Sequence, residues 1–274
     1  MRFFVVPGFV LYTILVIVPV IWSLYYSLFS GSPGLQWEFV GFDNYVKLFH
    51  DKNFLNSLAV NAKYISVVMI GQVGLGLLLA LMFRFWLKRC KTIVRTLVFF
   101  PVVLPTVAVG QLFAKIYEIQ PNYGLLNSFL DAVGLSNLVQ PWIGQESTAL
   151  WHYASWISGL QWDFTLYFLR SASGYSGRYS GSSANRWSWK FPDVQEHFTS
   201  AASSNDHHQS CVSFSGTVKM FESALALTNG GPGTATKSLS MYMYDVSFTY
   251  NKVGYGSVIA IVIFLDLYCW FQNH

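Results

Sequence analysis

The residues of this chain best equipped for chemistry are the Asp206-His207-His208-Gln209 cluster, the isolated His152, and Gln72, Gln111, Lys115 and Glu118, set in or beside apolar runs. Neighbouring imidazoles beside a carboxylate resemble a metal donor set, and a polar group inside a membrane segment is costly unless it faces the bundle or water. Several chemistries are nevertheless excluded. His152 has no paired carboxylates, no His-Glu-x-x-His occurs, and Cys90, Cys211 and Cys269 lie far apart without metal spacing. The phosphate-binding pattern G-x-x-x-x-G-K-(S or T) is also missing.

The elements that must position these residues are apolar and long. The 274 residues are 53% hydrophobic, 18% aromatic and only 11% charged, a composition suited to a polytopic membrane protein rather than a soluble domain. The run 3–29 exceeds what is needed to cross a hydrocarbon core of roughly 30 Å at about 1.5 Å per residue. Met1-Arg2 ahead of it would also suit a secretory leader, but the run is longer than a usual leader core and no small-residue cleavage site follows. Runs 64–83 and 97–113 supply a second and third span, the third containing Pro101 and Pro105, which neighbouring helices can accommodate. A fourth span begins near Thr148 and passes through Trp156, and Tyr255 opens a run to Leu265 that starts the sixth.

Charge then orients the spans. Arg84, Lys88, Arg89, Lys91 and Arg95 crowd the short loop between the second and third, which places that loop in the cytoplasm. The N-terminus is therefore expected inside, with 30–58 outside and 118–146, which holds three acids and no Lys or Arg, outside again. The net charge of +4 lies mostly in such loops and is no nucleic-acid signal. The expectation is an all-α, polytopic membrane helical bundle of six transmembrane helices forming a single domain, 1–274.

A fifth span is missing from the printed text. From Ser171 to Ser215, 13 of 45 residues are serine, and Asp206, His207 and His208 stand where apolar residues are expected. Degeneracy of the genetic code offers a reason: joining the last two bases of each codon to the first base of the next respells the segment. Tyr175 to Gly181 then permits I-P-(G or E)-D-I-Q-E, and Ser182 to Trp189 permits A-A-Q-I-D-G-A-G. Val194 to Ser200 permits F-(K or R)-(N or S)-I-(L or S)-L-P, and Ala201 to Phe214 an apolar run in which His207 and His208 become T and I. The segment 168–214 is thus read as out of frame, so no metal site is expected there. A weaker signal of the same kind follows Leu265, where the tail ending Gln272-Asn273-His274 can be respelled as an apolar continuation. As printed, the fifth span is disrupted and the sixth is expected to be truncated.

The respelled strings resemble the EAA loop of the membrane-spanning subunits of bacterial ABC importers, with its EAA, two residues, DGA, five residues, F, two residues and I-x-L-P. In-frame segments carry the same resemblance to the carbohydrate branch of these permeases. They are Phe39-Val40-Gly41-Phe42-Asp43-Asn44-Tyr45 followed by Phe49 and Asn53-Phe54, then Gly216 to Glu222, Leu227-Thr228-Asn229-Gly230-Gly231-Pro232-Gly233, and Tyr255-Gly256.

The resemblance implies half of a translocation pathway, without catalytic residues of its own, in the bacterial inner membrane. It implies a second permease subunit, a cytosolic ABC ATPase dimer that binds ATP and Mg, and an extracellular solute-binding protein, all within membrane lipid. The coupling loop falls at Gly181, Ser182, Ser183, Ala184, Arg186, Trp187 and Ser188, where the shifted frame spells the motif. Gln72 and Gln111 are candidate pathway residues, with interhelical hydrogen bonding as the competing role. Gly230, Gly231 and Pro232 form an expected external turn, and Gly71, Gly74 and Gly76 an expected packing face. Two alternatives stay open: a non-functional frameshifted remnant of such a permease, and a secondary transporter, although no internal repeat or mid-membrane charge points to the latter.

Overall fold

The computed structural model describes residues 2–66, 93, 94, 96, 104–118, 123–143 and 221–273. In chain order these form α1 (Arg2–Tyr12), a π turn (Thr13–Ile17), α2 (Val18–Tyr26), β1 (Phe29–Ser32), β2 (Leu35–Phe39), α3 (Asp43–His50) and α4 (52–66). There follow α5 (Thr106–Ile116), α6 (Leu125–Ala132), a 3-10 turn (Ser136–Leu138), α7 (Glu222–Leu227), α8 (Leu239–Tyr244), a second π turn (Asp245–Thr249) and α9 (Val253–Asn273). The chain divides into two units, Met1–Asn61 with Lys237–Asn273, and Ala62–Thr236 with His274.

In the first unit, α1 and α2 run on as one apolar helix. Val6–Tyr26, with a mean hydropathy of 2.1 and none of it buried by the rest of the chain, is long and apolar enough to cross a membrane. Pro19, two residues into α2, has no N–H to give, and the π turn just before it absorbs the lost bond. Thr13 and Ser23 fold their hydroxyls back onto the carbonyls of Phe9 and Pro19 at 2.8 and 3.0 Å, which keeps these polar groups satisfied in an apolar setting.

The expectation of an all-α chain needs one correction. β1 and β2 form an antiparallel hairpin, closed by a two-residue Pro33-Gly34 turn, with an irregularity between Ser30 and Ser32. Gly31 takes φ +80 there, and a side chain would strike the carbonyls of Leu35 and Gln36. Stacking of Phe29 on Trp37, 4.8 Å between centroids, pins the register. The hairpin and α3 lie where the sequence places the first external loop, and α9 packs against α2, β1, α3 and α8.

Two helix boundaries also differ from expectation. Apolarity alone predicts one span over 97–113 that passes through Pro105, whereas α5 starts at Thr106 and continues to Ile116. Pro105 sits at its N-cap in extended conformation, because a proline inside would remove a helical hydrogen bond and clash with the preceding turn. The last helix is not confined to the stretch ending at Leu265. α9 runs 21 residues, Val253–Asn273, with Asp266 and the tail beyond it helical, although its apolar part is the shorter stretch Val253–Tyr268.

In the second unit α5 packs on α7, and the close approach is set by Gly110, whose imagined Cβ would stand 2.7 Å from that of Ala226. The second span beyond residue 66, the fourth, and the segment 168–214 lie outside the described residues.

Candidate functional site

The most connected polar group in the first unit is Asp51, at the N-terminus of α4. Its Oδ1 accepts the N–H of Asn53 at 2.9 Å and of Phe54 at 3.4 Å, capping the helix. Its Oδ2 accepts the hydroxyls of Tyr242, at 2.5 Å from α8, and of Tyr255, at 2.6 Å from the start of α9. Both tyrosine rings are buried, and the Lys47 ammonium stands 5.3 Å from the centre of the Tyr255 ring. One carboxylate thus fastens the start of α4 to α8 and α9, whose tyrosines lie 191 and 204 residues further along the chain. Desolvation pulls the Asp51 carboxyl up, but the hydrogen bonds from Tyr242, Tyr255, Asn53 and Phe54 outweigh it and hold the group below its ordinary 3.8. Burial, with the Asp51 bond and charge added to it, pushes the Tyr242 phenol far above its ordinary value.

A second set of bonds ties the hairpin and α3 to the end of α2. Buried Asn44 gives both amide hydrogens away, to the carbonyls of Ser27 at 3.0 Å and Phe29 at 2.7 Å, while Tyr45 shares a 2.8 Å bond with the Ser27 hydroxyl. Ser32 donates to the Asn251 carbonyl at 2.7 Å and accepts the Val253 N–H at 3.2 Å, closing the same end onto α9. Gly254 is required beside them, because any side chain would fall on the Phe29 carbonyl. Lys237 and Asp245, paired at 2.6 Å and largely buried, brace α8.

In the second unit the Gly-Gly-Pro stretch is a closed turn. The Gly231 N–H meets the Thr228 carbonyl at 3.0 Å, and the fully buried Thr236 sends its hydroxyl to the Gly231 carbonyl at 2.9 Å and its N–H to Gly230 at 3.3 Å. Gly230 and Gly233 adopt φ +80 and +59, as expected of glycines in a turn, while the Gly231-Pro232 bond is cis.

Among the residues singled out in the sequence, Gly230, Gly231 and Pro232 come together in this turn. Gln111 lies on α5 and is exposed in the isolated chain. Lys115 and Glu118 form an exposed ion pair at 2.9 Å. Gln72, the glycines of the second span, the coupling positions Gly181 to Ser188, and His207 and His208 lie outside the described residues. Sequence reading missed Asp51, although an Asp directly before a helical run is an N-cap signal. Asn44, Tyr45 and Tyr255, which lie in the segments that resemble the carbohydrate permeases, have a shared physical role in holding these helix ends together.

Solved structures share this fold. A chain in the crystal structure of a bacterial alginate ABC transporter, in complex with an alginate pentasaccharide-bound periplasmic protein, superposes with a TM-score of 0.75 at 15% identity, covering 99% of this chain and 91% of that one. A second crystal structure, of a bacterial ABC transporter involved in the import of the acidic polysaccharide alginate, gives 0.65 at 16% identity. The chain thus shares the helical fold of these transporter chains, and its first helix is long and apolar enough to cross a membrane.

Sequence relatives carry the assignment further. No family model matches the chain. The probable ABC transporter permease protein YurN of Bacillus subtilis is 31% identical over 278 residues, covering 96% of this chain and 90% of the relative. The multiple sugar-binding transport system permease protein MsmF of Streptococcus mutans (25%) and the lactose transport system permease protein LacF of Rhizobium radiobacter (26%) each cover 96% of this chain and 89% and 88% of themselves. The chain belongs to the ABC transporter permease family.

Proposed function

We propose that the chain forms half of the translocation pathway of an ATP-driven sugar importer in the bacterial inner membrane. The observation that carries this reading is the match over 96% of the chain to permeases, among them proteins named for multiple-sugar and lactose transport. In this reading six helices span the membrane as one domain with the N-terminus in the cytoplasm, supported by the basic residues between 84 and 95. A second permease subunit completes the pathway, a solute-binding protein delivers the sugar outside, and an ATPase dimer supplies hydrolysis with its own ATP and Mg.

Coupling is assigned to the loop at 181–188, where the shifted frame spells E-A-A-Q-I-D-G-A, small residues suited to docking in a groove of the ATPase. Gln72 and Gln111 are the proposed pathway contacts with sugar hydroxyls, and the Gly230-Gly231-Pro232 turn is the proposed external element. The comparisons lend no support to a frameshifted remnant.

The test is uptake of labelled sugar in a permease-null strain that carries the cognate ATPase and binding protein. Restored, ATP-dependent uptake that weakens in Gln111→Ala is expected, and unchanged affinity and rate in Gln72→Ala and Gln111→Ala would remove both from the pathway. Resequencing the codons for 156–216 decides the loop. The motif in frame is expected, and confirmation of the printed frame would cancel the assignment at 181–188.

A further inference from the structure

We infer that α3 is an interfacial helix whose Phe42, Val46 and Phe49 edge is seated in the outer headgroup layer of the bilayer, beside the exit of the first span. The inference rests on the membrane reading of the chain and adds a lipid site to it. α3 and its flanking Phe42 divide into three sectors at the helical angle of about 100° per residue. Asn44 and Leu48 are buried against the first unit, Asp43, Lys47 and His50 are exposed and polar, and Phe42, Val46 and Phe49 form a third sector that is apolar yet 73, 60 and 70% exposed. A soluble surface has no use for such a sector, whereas a helix lying between water and hydrocarbon needs one beside a polar face.

The level of α3 is fixed at both ends. Near its N-terminus Asn44 and Tyr45 bond Ser27 and Phe29, the residues that directly follow the span-length stretch Val6–Tyr26. At its C-terminal side Lys47 stands over Tyr255, and Asp51 holds the Tyr255 hydroxyl, at the start of the apolar stretch Val253–Tyr268. The two anchors lie where two apolar helices end, so α3 crosses the bundle at that boundary rather than reaching away into water. Aromatic rings mark the same level: Tyr26 meets Trp37 edge to face at 5.2 Å, Trp37 stacks on Phe29, and Tyr25 packs on Phe29 at 4.8 Å. Such a girdle of Trp and Tyr is what the headgroup region selects. The exposed edge of α3 therefore stands at the level where α2 ends and α9 begins.

The experiment uses the complete transporter in vesicles of phosphatidylcholine and phosphatidylglycerol, with Cys90 and any other cysteine of the expressed permease replaced by serine. A spin label is placed in turn at 42, 46, 49, 43 and 50, and at 15 in the first span as a reference for insertion. Collision with oxygen is compared with collision with a water-soluble nickel chelate. Labels at 42, 46 and 49 are expected to favour oxygen and those at 43 and 50 the chelate. Chelate access at all five positions would overturn the inference, as would shielding of 42, 46 and 49 from both reagents, which would mean that a protein partner covers the edge. A label at 15 that meets the chelate freely would instead refute the membrane reading itself.

Discussion

Replacing Asp51 by Asn should loosen the end of the first unit where α4, α8 and α9 meet, by an amount that can be worked from four distances. Oδ2 receives the Tyr242 and Tyr255 hydroxyls at 2.5 and 2.6 Å, and Oδ1 receives the N–H groups of Asn53 and Phe54. Bonds to a charged acceptor contribute about 1.5–3 kcal/mol each and neutral ones about 0.5–1.5; Asn keeps one acceptor oxygen for the cap and turns an amide donor toward the tyrosines, so their charged bonds become neutral ones at best, a loss of roughly 1 kcal/mol or slightly more per tyrosine. Because the carboxylate is partly open to water, screening favours the lower end, and the expected loss for Asp51→Asn is about 1–2 kcal/mol. Asp51→Ala also abolishes the cap, which adds about 1 kcal/mol.

The assay is chemical denaturation in detergent micelles, run as a cycle with Tyr255→Phe. Residues sharing one network couple, whereas independent ones add to within about 0.5 kcal/mol. Additive losses for Asp51→Asn and Tyr255→Phe would refute the reasoning. The pH dependence follows in sign from the depressed carboxyl. Its stabilisation is fully present above the ordinary value of 3.8 and is lost as pH falls through the lower folded value. The gap between wild type and Asp51→Asn should accordingly be flat near neutrality and close only below pH 3.8.

Asn44→Ala leaves the carbonyls of Ser27 and Phe29 without their donors and should cost about 1–3 kcal/mol, read in the same denaturation assay, with Asn44→Ser recovering little because one short hydroxyl cannot reach both. Gly254→Ala places a methyl on the Phe29 carbonyl, and since backbone must move, the loss should exceed the 1–3 kcal/mol usual for overpacking, visible as poor yield of folded protein. Gly110→Ala clashes with the Ala226 methyl at 2.7 Å and otherwise makes ordinary contact at 3.5 and 3.6 Å, so a loss of about 1–3 kcal/mol should be largely reversed by adding Ala226→Gly; failure of that rescue would show that α5 and α7 do not approach as described.

Which parts were legible in the sequence follows from the range of the forces involved. The first span was readable because burial in lipid acts on every residue of a long run, and 3–29 differs from the observed helical stretch 2–26 only at its ends. The start of α5 was misplaced because apolarity continued across Pro105 while backbone hydrogen bonding did not, and the hairpin was missed because Gly31 and Gly34 sit in text too short to show alternation. The turn at Gly230 was visible because glycine and proline act locally.

The Asp51 knot was invisible for the opposite reason. Its partners stand 191 and 204 residues away, and nothing in a single sequence announces that two tyrosines converge on one carboxylate. Yet Phe39 to Tyr45 and Tyr255-Gly256, which resemble the carbohydrate permeases, are segments that Asn44, Tyr45 and Tyr255 join through Ser27, Phe29 and Asp51. The resemblance therefore lies in the joint that ties the end of α2 to the start of α9. Directional, charge-assisted bonds from two tyrosines to one aspartate hold such a joint in a single geometry, whereas an apolar contact could slide.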